Sequence, residues 1–151
     1  MVKNDNTTFA ALFLYFGHSK KILIMGLFYS ILTSILLSLG INGEVPYGSI
    51  ERAFVSNNPT EIVSIGKAKI LMNVLGKEGI YSQSQASLVL KDFFTKKPNG
   101  SFNFFFKGKE SSEGTFAIGS YTSRSEEFRV TIHFKNIDGQ FKIESLTIEN
   151  A

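Results

Sequence analysis

A chain of 151 residues has room for one domain, and this one carries 15 Phe but no Cys and no Trp. The lack of cysteine excludes disulfides, thiolate metal ligands, a thiol nucleophile and a lipid-modified cysteine anchor. Residues 44–151 hold 13 Lys and Arg against 12 Asp and Glu. No basic run interleaved with aromatics falls on one face there, so nucleic-acid binding has no support.

Residues 22–41 carry no charge and follow Lys20 and Lys21. A positive flank, an apolar run and the small residues Ser38, Gly40 and Gly43 form the pattern of a cleavable export signal. The same run is long enough to cross a bilayer as an uncleaved anchor, for which about 20 residues suffice. Both readings set 1–43 apart as signal or anchor and leave 44–151 as one domain. That domain is expected to be periplasmic, or anchored facing the periplasm, with the membrane met only through 22–41.

Tyr47 to Val55 reads as a helix with Ile50, Phe54 and Val55 facing the core. Asn57 and Asn58 interrupt it. Asn58-Pro59-Thr60-Glu61 then offers a cap, Pro at the first helical position and an early acid, so a second short helix runs to about Ile65. Lys67 to Leu75 is a strand candidate with Ala68, Ile70, Met72 and Val74 on one side, and Gly76 to Gly79 is a turn. Between 81 and 95, Ala86, Val89, Leu90, Phe93 and Phe94 recur at helical spacing, behind a Ser82/Gln85 capping box. Pro98-Asn99-Gly100 stops this helix. Phe102, Phe104 and Phe106 then alternate with polar residues as a strand does, apart from Phe105. Three more strands follow at Thr115–Tyr121, Phe128–Lys135 and Phe141–Glu149, with Gly119 marking a bend or a close approach.

The last two strands carry their own register. A two-residue Asp138-Gly139 turn sets Phe134 opposite Ile143, but would then set Ile132 opposite Ser145. One extra residue near Glu144-Ser145 restores Leu146 opposite Ile132 and Ile148 opposite Val130, which predicts a β-bulge. The same register puts His133 near Glu144 and Arg129 opposite Glu149 on the outer face. Helix, helix, strand, helix and then an antiparallel meander make an α+β domain with helices on one face of a curved sheet.

Tyr81-Ser82, Gln85-Ala86, Leu90-Lys91-Asp92-Phe93-Phe94, Ile118-Gly119 and Phe128-Arg129-Val130, in that order, resemble the bacterial exported family known as domain of unknown function 4783. The resemblance covers nearly all of 45–150. It implies a nuclear transport factor 2-like (cystatin-like) cone, with helices packed on a curved antiparallel sheet and a hydrophobic helix ahead of it. That fold hosts isomerases, dehydratases and non-catalytic binders alike. No activity is assigned to the family, so the resemblance brings no catalytic residues with it.

Two readings of function stand. The preferred one is a non-catalytic envelope module that binds a protein partner or a small apolar ligand. Its contacts would be Tyr81, Asp92 and Tyr121 at the cone mouth, or Phe105, Arg129 and His133 on the outer sheet face. The alternative is an isomerase or dehydratase with a site inside the cone, where Asp92 would be the general base if it turned inward. An interior filled by Phe93, Phe94, Phe102, Phe104, Phe106 and Phe116 argues for a cone packed shut. No motif calls for a cofactor, and no second His, Cys or carboxylate pair is spaced with His133 for a metal. A homodimer through the outer sheet face is a third possibility.

Overall fold

The computed structural model of the protein describes residues 43–151. The apolar stretch 22–41, with its readings as signal or anchor, lies outside the described residues. Within them the chain forms α1 (Tyr47–Val55), α2 (Pro59–Ser64), β1 (Gly66–Val74), β2 (Lys77–Ser82) and α3 (Gln83–Lys96). Four strands follow: β3 (Ser101–Lys107), β4 (Gly114–Ser123), β5 (Glu126–Ile137) and β6 (Gln140–Asn150). All six strands join one sheet in the order β2-β1-β6-β5-β4-β3. Every pair is antiparallel except β1–β6, which is parallel. The helices pack on the inner face of this curved sheet, giving the α+β arrangement that the element order implies.

Local chemistry ends α1 and starts α2 and α3. In α1, Ile50, Ala53 and Phe54 are buried at helical spacing. Val55, expected inside, is 51% exposed because Ala53 takes the inward position. Asn57 ends the helix in a left-handed conformation (φ 51°). Its N–H donates to Phe54 O at 3.0 Å and the Asn58 N–H to Ala53 O at 2.8 Å, which closes the last turn as a glycine usually does. The Asn58 side chain then accepts from the Glu61 N–H at 3.2 Å to begin α2. For α3 the expected capping box is present: Ser82 Oγ accepts from Gln85 N and Gln85 Oε1 accepts from Ser82 N. A cap of this kind contributes about 1 kcal/mol.

The sheet departs from the sequence reading in its parallel β1–β6 pair, in the exposed Ala68 of β1, in an added strand and in the phase of β3 and β4. Residues 77–82, read as a turn and a lead into the helix, form strand β2, paired with β1 so that Val74 faces Lys77 and Ile70 faces Tyr81. The two-residue turn between them is Leu75-Gly76, both with positive φ (51° and 85°). Leucine is rare in that geometry, so Gly76 alone signals the turn and the reading of Gly76 to Gly79 sets it too late in the chain. A bulge also interrupts β3. Phe104 pairs with Gly119 and Phe106 with Ile118, leaving Phe105 as the extra residue. The bulge inverts the alternation, so Phe106 lies on the outer face and is 45% exposed. Phe116 is outside as well, because Ala117 and Tyr121 fix the inward phase of β4.

The predicted bulge in β6 is present at Glu144. Phe134 faces Ile143 and His133 faces Ser145, while Ile132 meets Leu146 and Val130 meets Ile148. Arg129 faces Glu149, with a nitrogen–oxygen separation of 3.7 Å. Glu144 itself bonds Lys67 of β1 at 2.9 Å rather than His133. That bond holds its carboxyl below the usual glutamate range, with His133 a lesser influence.

Aromatic rings fill the space between helices and sheet. Phe54 stacks on Phe102 with centroids 4.4 Å apart and meets Phe94 edge-on. Phe93 packs against Phe94, Tyr121 and Phe128. The fully buried Tyr121 ring lies against Gly100, where any Cβ would overlap it, and Phe102 covers Gly119 in the same way. Gly119 is thus the close approach that the sequence indicated. The Tyr121 hydroxyl donates its one proton to Lys97 O at 2.6 Å. Its 2.9 Å contact with Asn57 is therefore to the amide nitrogen, which leaves the Asn57 oxygen to accept from Asn99 N at 3.0 Å. The ends of α1 and α3 are tied to β4 through this one phenol. Ser123 adds a bond to Pro98 O at 2.7 Å.

Replacing Tyr121 with Phe keeps the ring and removes the partner of the half-buried Lys97 carbonyl and of one Asn57 amide hydrogen. The expected cost is about 1–3 kcal/mol in urea unfolding at unchanged slope. An unchanged midpoint would remove the phenol from the account.

Candidate functional site

The three residues expected at the cone mouth do not converge. Tyr121 is inside, its hydroxyl engaged as described, and burial pushes its pKa up. Tyr81 is half-buried on the inner face of the edge strand β2, its ring over Gly79. Asp92 lies on the exposed side of α3, 2.8 Å from Lys96 and 3.6 Å from Lys77. The hydrogen bond from Lys96 holds its carboxyl below the ordinary aspartate range. A general base at neutral pH calls for a shift in the other direction. Among the described residues no group of three or more metal-ligating side chains comes together.

The outer sheet face does gather residues. Phe106 of β3 lies 5.3 Å from Phe116 of β4, and Phe116 stacks on His133 of β5 with centroids 5.6 Å apart and an interplanar angle of 22°. The register carries this row onward: His133 faces Ser145, Ser145 faces Leu71, and Leu71 faces Ile80 on the far edge. Ile80 is 70% exposed, and Phe105 stands at the β3 bulge, 61% exposed. One mostly apolar row therefore crosses all six strands in the open. Charge is mixed on either side of it but differs in balance, with Glu144 and its partner Lys67 beside the lysines. Glu127, Arg129 and Glu149 lie toward one end of β5 and β6, and the facing pair Lys135 and Lys142 toward the other.

A second opening lies between α3 and the β1–β2 hairpin. It is a groove of about 330 Å³ lined by Val74, Leu75, Lys77, Leu88, Val89, Asp92, Phe93, Lys96 and Lys97. Its floor is apolar and its lips are mostly cationic.

The sequence pattern of the family described as a domain of unknown function, DUF4783, matches residues 47–149. The chain belongs to the DUF4783 family. A solved DUF4783 protein from Bacteroides uniformis is 25% identical, with TM-score 0.65, over 72% of this chain and 98% of that one. A domain of unknown function with a cystatin-like fold from Nostoc punctiforme is 9% identical, with TM-score 0.56, over 69% and 72% of the two chains. An NTF2-like protein of unknown function from Shewanella baltica is 8% identical, with TM-score 0.55, over 69% and 86%. The last two share the fold alone. No curated protein matches the chain.

As a DUF4783 domain with an NTF2-like fold, the protein keeps His133, Arg129 and Phe105 on or beside one exposed face and scatters Tyr81, Asp92 and Tyr121. Phe106, Phe116, Leu71 and Ile80 join the outer row although sequence reasoning did not single them out as contacts. The groove residues Leu75 and Leu88 were missed as well. Leu88 carried a signal, since it falls off the buried stripe of its helix and is 66% exposed.

Proposed function

We propose that this domain is a non-catalytic interaction module of the bacterial envelope, delivered or tethered there by residues 22–41, and that it pairs with a second copy through its outer sheet face. The observation that carries this reading is the exposed row Phe106–Phe116–His133–Ser145–Leu71–Ile80, apolar at four of its six positions. An apolar row of that length on a solvated sheet calls for a cover. The charge pattern favours a second copy as that cover. A two-fold axis in the plane of the face, crossing the strands at the His133–Ser145 pair, lays the row of one copy on the row of the other and turns the Glu127/Glu149 end of each toward the Lys135/Lys142 end of the other. Six strands about 4.8 Å apart, each about 20 Å long, present roughly 600 Å² of flat face. With side-chain relief added, that approaches the roughly 800 Å² per partner of a standard interface. The engaged phenol of Tyr121 and the low carboxyl pKa of Asp92 weigh against acid–base chemistry inside the cone.

The domain 44–151 should sediment as a dimer at tens of micromolar, and Phe116→Glu should weaken the dimer about tenfold or more with an unchanged circular dichroism spectrum. A wild-type monomer at that concentration, or a dimer indifferent to the substitution, would overturn the pairing. Export has its own test: alkaline phosphatase fused after residue 151 should be active in cells with the full leader and inactive when 1–43 are removed. Equal activity without the leader would remove the envelope assignment.

A further inference from the structure

The groove beside α3 is independent of the outer face and has its own chemistry. We infer that it binds a single-chain amphiphile with an anionic head, an alkyl carboxylate of medium length. Val89 and Phe93 of α3 and Val74 of β1 supply an apolar floor. Leu88 and Leu75 stand at its margins, 66% and 42% exposed. Neither belongs to the buried core, and together they give an alkyl chain apolar walls. The volume of about 330 Å³ sits at the low end of ligand sites, which run from about 300 to 1,000 Å³. It suits one alkyl chain and is too small for a two-chain lipid.

The head group follows from charge. Lys77, Lys96 and Lys97 line the groove against one carboxylate, Asp92. Lys77 reaches the groove from the hairpin and Lys96 from the helix, and both lean on Asp92, at 3.6 and 2.8 Å. Lys97 is held by Glu126 at 2.6 Å. Two ammonium groups thus share a single exposed carboxylate, and an incoming carboxylate can share them in turn. A cationic head would meet the same lysines and be repelled.

The test uses the 44–151 domain, since a match over 72% of this chain covers 98% of the solved Bacteroides uniformis relative. Decanoate is titrated below its micelle concentration and followed by amide nitrogen–proton NMR, with decyltrimethylammonium and decanol as controls. Saturable shifts at Leu75, Lys77, Leu88, Val89 and Asp92 are expected with decanoate, with decanol weaker and the cation about tenfold weaker or more. Leu88→Glu, at an exposed position that tolerates a charge, should abolish them. Lys96→Glu should weaken decanoate and strengthen the cation. Phe116→Glu should change nothing here, which separates this site from the outer-face pairing. Equal binding of both head groups, shifts confined to the outer sheet face, or binding unaffected by Leu88→Glu would each overturn the inference.

Discussion

The buried hydroxyl of Tyr121 is the constraint on which the domain depends. It donates to the carbonyl that closes α3 and accepts from the asparagine that closes α1. Two helix ends and the β4 strand are thereby fixed to one atom, and the ring behind it occupies the centre of the aromatic cluster. Low local dielectric strengthens such bonds and makes an orphaned partner costly. Gly100 and Gly119 belong to the same unit, because the rings need the space that a Cβ would take.

A cone filled in this way moves its chemistry outward. Two polar groups that the sequence offered for an interior site are engaged elsewhere, Tyr121 in tying the helix ends and Asp92 in surface ion pairs, while the buried Tyr47 hydroxyl has no hydrogen-bond partner. Among the features on the outside are an apolar row across the sheet and a groove at the hairpin end. Both derive from local irregularities. The bulge at Phe105 turns Phe106 to the outer face, and the left-handed Leu75 places a leucine at the groove margin. Bulges and left-handed turns thus do here what loops do in many folds: they aim side chains away from the core.

Much of the fold was legible because the residues concerned obey one rule at a time. Ser82 and Gln85 cap a helix by sidechain reach alone. The β6 bulge followed from keeping Ile132, Val130, Leu146 and Ile148 on one face, a demand strong enough to specify the insertion to within a residue. Illegible positions are those where two rules compete. Phe104-Phe105-Phe106 offers three identical side chains, so hydrophobic phase cannot say which one is extra. Thr115-Phe116-Ala117 invites the large residue inward, yet the small Ala117 faces the ring-filled interior. Leu75 occupies a turn position that favours Gly or Asn, which hid β2. The outer contact row was only half visible for the same reason: His133 and Arg129 could be phased by their strand, while Phe106 and Phe116 were assigned to the core.

The claim that the interior is closed can be tested on a crystal of the domain held under xenon pressure, since xenon enters apolar cavities that water leaves dry. The account predicts no xenon among Phe54, Phe93, Phe102, Tyr121 and Phe128, with any bound gas confined to the groove beside Leu88 and Val89. A well-occupied xenon site next to the Tyr121 ring would contradict it, and would return the interior to consideration as the place where this protein works.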